Sequence, residues 1–76
     1  MKAVLYTTSA CSACEQALDL VLSVDAGHVV LEAIDIADDD LLVERYASLI
    51  PVLRIGEREL VWPFSTADLV GMIELE

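Results

Sequence analysis

Short apolar runs alternate with stretches of helical period along this chain. Lys2-Ala3-Val4-Leu5-Tyr6 is apolar and bounded by Thr7-Thr8-Ser9, the pattern of a buried strand closed by a turn. From Cys11 to about Val24, Ala17, Leu18, Val21 and Leu22 recur at helical spacing while Glu15 and Asp19 share another face, and Asp25-Ala26-Gly27 ends that helix. The run from His28 to Ile36 is rich in β-branched residues and too apolar for an exposed ribbon, which predicts a central strand. Asp38-Asp39-Asp40 offers a cap and first-turn charges for a second helix carrying Leu41, Leu42, Arg45, Tyr46 and Leu49. Pro51–Ile55 and Arg58–Trp62 flank Gly56-Glu57 as the arms of a hairpin, and Pro63 stops the ladder. Ser65-Thr66-Ala67-Asp68 has capping-box spacing and opens a last helix with Leu69, Val70, Met72, Ile73 and Leu75. The predicted order is β-α-β-α-β-β-α.

Seventy-six residues make one small domain, residues 1–76, without internal repeats or linkers. A hydrophobic fraction of 57% and a mean hydropathy of +0.61 are high for this length, so nearly all apolar faces are expected to enter one core. No stretch reads as a membrane span, because Asp19, Asp25, Glu32 and Asp35 break up the apolar middle. Only ten residues precede Cys11, too few for a secretory signal, and a cytoplasmic protein is expected. Fourteen acidic residues against Lys2, Arg45, Arg54 and Arg58 give a net charge of −10, which argues against nucleic acid and anionic membrane surfaces as partners. The same field steers basic protein partners inward and discourages anionic small molecules, unless Arg54 or Arg58 offsets it locally. The plainer reading is a charged face that keeps an apolar domain soluble.

Cys11 and Cys14 are the only cysteines, in a Cys11-Ser12-Ala13-Cys14 segment at a helix start. Residues three apart on a helix hold their Cβ atoms about 5–6 Å apart, slightly beyond the roughly 3.5–4.5 Å of a disulfide, so a small adjustment closes the bond. The first cysteine lies where free amide N–H groups and the helix dipole favour an anion, which makes Cys11 the candidate nucleophile. In a cytoplasmic protein two close cysteines point to catalysis or metal binding before a permanent staple, although a structural disulfide remains an alternative. Two cysteines supply only half the ligands of a closed zinc or iron–sulfur site, so a metal would need a bridging dimer, and no metal site is assigned. The three aspartates read as a cap rather than a calcium loop. His28, without a sequence partner that makes it a base, reads as a strand-start surface residue.

Taken together, these residues resemble the glutaredoxin branch of the thioredoxin-like superfamily. The resemblance is carried by the element order over the whole chain, by Leu5-Tyr6-Thr7 ahead of Cys11 and Cys14, and by Ile50-Pro51-Val52 before a hairpin with Ile55-Gly56. It implies an α/β thioredoxin-like fold, a four-stranded mixed sheet with helices on both faces. It also implies thiol–disulfide exchange, with Cys11 attacking and Cys14 resolving the mixed disulfide. By the same resemblance Pro51 follows a cis peptide bond and sets the backbone of Ile50 beside the cysteines, where its N–H and C=O pair with an extended substrate. Tyr6 is expected near the active-site turn, as a substrate contact or as a core-edge aromatic. Ser65, Thr66 and the free N–H groups of the last helix are expected to accept a carboxylate. No bound cofactor is implied, glutathione is a candidate reductant, and the partner is a disulfide-containing protein or a glutathione mixed disulfide acting on a monomer.

Three departures from the family pattern bear on these expectations. Ser12 and Ala13 stand where glutaredoxins commonly carry Pro and Tyr, and Thr8 stands where they tend to carry Lys. With Glu15 next to Cys14, the Cys11 thiolate then depends mainly on the helix terminus, which predicts a less acidic nucleophile than is typical. The glycine pair that leads into the last helix is absent from Val61–Asp68, and Trp62 and Phe64 stand there instead, to cap the small core or to narrow the groove. The rival to an enzyme is a binding or adaptor domain that kept the fold and the cysteines without efficient turnover.

Overall fold

Two alternating sets of side chains on one sheet organise the computed structural model, which describes residues 2–24 and 29–74. Its elements are β1 (Lys2–Thr7), α1 (Ser12–Val24), β2 (Val30–Asp35), a 3-10 turn (Ile36–Asp38), α2 (Asp40–Tyr46), β3 (Val52–Ile55), β4 (Arg58–Val61) and α3 (Thr66–Glu74). The sheet order is β2-β1-β3-β4. β1 runs parallel to β2, from Lys2 opposite Val30 to Thr7 opposite Asp35, as a crossover through α1 requires. It runs antiparallel to β3, with Ala3 opposite Ile55 and Tyr6 opposite Val52. β3 and β4 close as the expected hairpin, Ile55 opposite Arg58, with Gly56 at φ 62° in the turn, a conformation that favours glycine.

The alternation of strand side chains splits the interior in two. Ala3, Leu5, Leu53 and Ile55 face Ala17 and Val21 of α1, Leu69 and Met72 of α3, and Phe64. Tyr6 and Val52 face the opposite way, against Ile36 of the 3-10 turn and Tyr46 of α2, with Val4, Ile34 and Leu42 packed around them. Helices therefore cover both faces. The expectation of a single core that takes nearly every apolar face is corrected: there are two clusters, and Leu22, Val30, Leu41, Val43, Leu49, Val61 and Val70 stay exposed.

The central-strand reading of the His28–Ile36 run is also corrected. β2 lies at one end of the sheet order and, among the described residues, pairs only with β1. Val30 is 69% exposed, whereas Val29 and Leu31 pack on the first cluster and Ile34 on the second. Ile36 leaves the strand for the 3-10 turn, buried against Tyr6 and Tyr46. The expected helix stop at Asp25-Ala26-Gly27, the position of His28 and the end of the last helix at Leu75 lie outside the described residues.

Asp35 at the end of β2 and Asp39 after it act as caps. Asp35 accepts from the Ala37 N–H at 2.9 Å, and Asp39 accepts from the Leu41 and Leu42 N–H groups at 2.9 and 3.3 Å. The capping box forms in full: the Asp68 N–H donates to Ser65 Oγ at 3.1 Å and the Ser65 N–H donates to Asp68 Oδ2 at 2.9 Å. The Ile50–Pro51 bond is cis as expected, and the Trp62–Pro63 bond, for which the sequence offered no signal, is cis as well. Among the described residues no helix is long and apolar enough to cross a membrane.

Candidate active site

β1 ends at Thr7, and the chain reaches α1 through Thr8-Ser9-Ala10. Ala10 is left-handed, with φ 55°, and is the one non-glycine residue among those described with a positive φ. This turn places Cys11 just ahead of α1, at its cap. The Cys11 carbonyl accepts from the Glu15 N–H at 3.2 Å, and Cys11 Sγ accepts from the Cys14 N–H at 3.2 Å. The sulfur thus takes the place that a serine or aspartate oxygen usually holds at a helix N-cap. Cys11 and Cys14 are joined as a disulfide across a Cα–Cα distance of 5.2 Å, inside the range such bonds use.

The two sulfurs differ in access. Cys14 is 3% exposed, packed at the base of α1, whereas Cys11 is half-buried. A hollow of about 140 Å³ opens beside them, lined by Leu5, Thr7 through Cys11, Cys14, Glu15, Leu18 and Ala33. Among the described residues Glu15 is its single charged side chain, and no basic residue lines it. Chemically, this is an accessible sulfur at a helix N-terminus with a second sulfur shielded behind it.

Of the other residues expected to contact substrate, Tyr6, Ile50, Pro51, Ser65 and Thr66, none lines this hollow. Tyr6 points to the α2 face, where its ring stacks on Tyr46 at 4.4 Å between centroids and its hydroxyl accepts from Arg54 Nη1 at 3.4 Å. It is a core aromatic there, the second of the two roles expected for it. Pro51 is buried, and its carbonyl accepts from the Trp62 N–H at 3.1 Å. The Ile50 N–H donates to the Tyr46 carbonyl at 3.0 Å, so the expectation that both backbone groups of Ile50 await a substrate is corrected: the N–H is already engaged. Ser65 holds the carboxylate of Asp68 in the capping box, and Thr66 is exposed at the first position of α3. Phe64 belongs to the first core cluster, with Trp62 edge-on to it at 5.1 Å, so these aromatics cap the core.

Sequence reasoning missed a polar and aromatic group on the α2 face. The Tyr46 hydroxyl donates to Glu59 Oε2 on β4, and Arg45 lies over the Tyr46 ring at 5.3 Å. Burial, with the Glu59 carboxylate as hydrogen-bond partner and neighbouring charge, pushes the Tyr46 phenol up to about 12. Thr7, Thr8, Ser9 and Ala33 also escaped notice as lining residues. The β1–β2 register, which sets Ala33 beside Leu5, is what brings Ala33 there.

Comparison with known proteins bears on this geometry. The family described as Glutaredoxin-like domain (DUF836) matches residues 2–74. The X-ray structure of Northeast Structural Genomics target protein XcR50 from X. campestris is 32% identical, with 97% of each chain covered and a TM-score of 0.86. The solution structure of the same protein gives 32% identity and a TM-score of 0.86, with 100% of this chain and 96% of that one covered. Thioredoxin 1 from the thermophilic eubacterium Thermosipho africanus TCF52B is 20% identical, with 99% of this chain and 92% of that one covered and a TM-score of 0.73, a likeness of fold. No curated protein matches the chain in sequence.

Proposed function

Because this chain belongs to the glutaredoxin-like domain family, we propose that it is a thiol–disulfide oxidoreductase in which Cys11 is the nucleophile and Cys14 the resolving thiol. The observation that carries the reading is the asymmetry of the pair: Cys11 at the helix cap and half-buried, Cys14 3% exposed behind it. A thiolate at Cys11 is favoured by the Cys14 N–H and the α1 terminus, so the accessible sulfur is also the one poised to attack.

The reaction balances as two exchanges. The Cys11 thiolate attacks one sulfur of a substrate disulfide, that S–S bond breaks, and the first thiolate leaves. Cys14 gives its proton to solvent and attacks Cys11 Sγ, the mixed disulfide breaks, and the second thiolate leaves. The substrate gains two electrons, and the Cys11–Cys14 pair ends as the disulfide. An external thiol reductant restores the dithiol, and glutathione is one such reductant. The Ile50 carbonyl, held in place by the buried Pro51, and Thr66, exposed at the α3 terminus, are the proposed contacts for an extended substrate.

The test is to mix the reduced protein with bis(2-hydroxyethyl) disulfide, quench by alkylation and count the forms by mass. The wild type is expected to pass to the internal disulfide, and Cys14→Ser to stop as an adduct on Cys11. An adduct on Cys14 in Cys11→Ser at the same rate contradicts the assignment of roles.

A further inference from the structure

Strand register sorts the charges of this molecule by end. Thr7, the last residue of β1 before the cysteines, lies opposite Asp35 in the parallel strand, so the loops that follow both strands leave the sheet at the same end. The chain after β1 passes through Cys11 into the first turn of α1 with Cys14 and Glu15, and the chain after β2 passes through Asp38 of the 3-10 turn and Asp39 into Asp40 of α2. With Asp35 at the end of β2, five carboxylates (Asp35, Glu15, Asp38, Asp39 and Asp40) thereby lie toward the cysteine end of the sheet.

The four cations lie elsewhere. Lys2 begins β1 and meets Glu32 at 3.4 Å, five residues before Thr7 and roughly 16 Å away at strand rise. Arg58 sits across the sheet from Ala3, through Ile55. Arg54 donates from Nε to the Gly56 carbonyl at 2.9 Å, toward the hairpin turn, and Arg45 shares a surface hollow with Arg54, Glu57 and Glu59. Neither Arg54 nor Arg58, the two residues considered as a local basic offset, lines the cysteine hollow. At physiological salt exposed charges are screened beyond about 8 Å, so Glu15, which lines the cysteine hollow, acts there most strongly, and the aspartates at the same end of the sheet add to the field as salt is lowered.

We propose that the substrates of this site are disulfides bearing net positive charge, in particular disulfides flanked by lysine or arginine in basic polypeptides, and that anionic disulfides, glutathione disulfide among them, are disfavoured. This rests on the exchange chemistry proposed above. The field acts on the encounter: it concentrates a cationic disulfide at Cys11 and repels an anionic one, without a dedicated binding pocket. The thiolate released from a cationic substrate carries an ammonium or guanidinium away with it, so product does not accumulate a further negative charge beside Glu15.

The probes are three small disulfides that differ mainly in charge: cystamine, bis(2-hydroxyethyl) disulfide and 3,3′-dithiodipropionate. The rate of Cys11–Cys14 oxidation by each is divided by that disulfide's rate with dithiothreitol, which removes intrinsic reactivity. Cystamine is expected to exceed dithiodipropionate by about tenfold or more at low salt, within the range that steering supplies. At 1 M NaCl, where the screening length is about 3 Å, the ratio is expected to collapse to about threefold or less. Glu15→Lys is expected to lower the low-salt ratio several-fold, and Asp38→Lys, outside the cysteine helix, to act in the same direction. Equal normalised rates at low salt, or a preference for the anionic disulfide, overturn the inference while oxidation by the neutral disulfide leaves the exchange reading standing. If none of the three oxidises the pair, both fall.

Discussion

The backbone N–H of Cys14 donates to the sulfur of Cys11 at 3.2 Å, so the atom proposed as nucleophile is also the one that caps α1. A side-chain acceptor at the N-cap position satisfies an amide that has no partner within the helix. The chain meets this need with the sulfur whose negative charge the same amide favours. Under the proposed exchange role, local folding and reactivity are coupled through that contact.

The coupling separates two substitutions that look alike. In reducing buffer Cys11→Ser keeps a cap acceptor and Cys11→Ala does not, so the alanine variant is expected to be less stable than the serine variant by about 1 kcal/mol. Urea unfolding of the two variants reads the difference directly. Equal midpoints would show that the sulfur is not acting as a cap.

Ala10 holds a left-handed backbone at φ 55° immediately before Cys11. A non-glycine residue there carries a steric cost of about 1–2 kcal/mol, which glycine avoids at the expense of about 0.5–1 kcal/mol in unfolded-chain entropy. Ala10→Gly is expected to leave stability unchanged or raise it by up to about 1 kcal/mol. Ala10→Val, β-branched in the same conformation, is expected to lower it by more than that. Thermal unfolding of the three proteins ranks them.

Of the three consecutive aspartates, one carries the cap. Asp39 accepts from Leu41 and Leu42, and its removal in Asp39→Ala is expected to cost about 1 kcal/mol. Asp38→Ala and Asp40→Ala are expected to change stability by less than about 0.5 kcal/mol. Chemical denaturation of the three single variants checks the ranking, and equal effects would contradict it.

Alkaline stability is tied to Tyr46. Burial and Glu59 raise its phenol from 10.0 to about 12, so the folded state holds this proton more tightly than the unfolded chain does. The corresponding stability is fully present below about pH 10 and is lost as pH rises through about 12. Urea midpoints are expected to fall across that window, and to fall less steeply in Tyr46→Phe. Absorbance titration of the folded protein is expected to show a tyrosine ionising late, one that Tyr46→Phe removes.

How far the sequence reaches depends on the range of the physics involved. β1, α1, the hairpin and α3 are legible because their signals are local: a short apolar run, a helical period, Gly56 in a turn and Ser65 with Asp68 three residues on. β2 is misplaced because Val29, Val30, Leu31 and Ile34 read as buried on both faces, while strand order, a property of the whole chain, sets it at an edge with Val30 exposed. The cysteines are legible from spacing, but the cap role of Cys11 depends on a left-handed Ala10 that composition does not announce. The contact of Tyr46 with Glu59 spans thirteen residues between a helix and a strand, and the separation of charges by end follows only from the β1–β2 register.

The most direct test of the central claim is a redox titration. The protein is equilibrated in dithiothreitol and bis(2-hydroxyethyl) disulfide buffers, trapped by alkylation and weighed. A reversible two-electron passage between dithiol and Cys11–Cys14 disulfide at roughly −200 to −300 mV, where cellular thiol couples operate, is the predicted result. Thiols that remain reduced and unmodified across the whole series contradict the account.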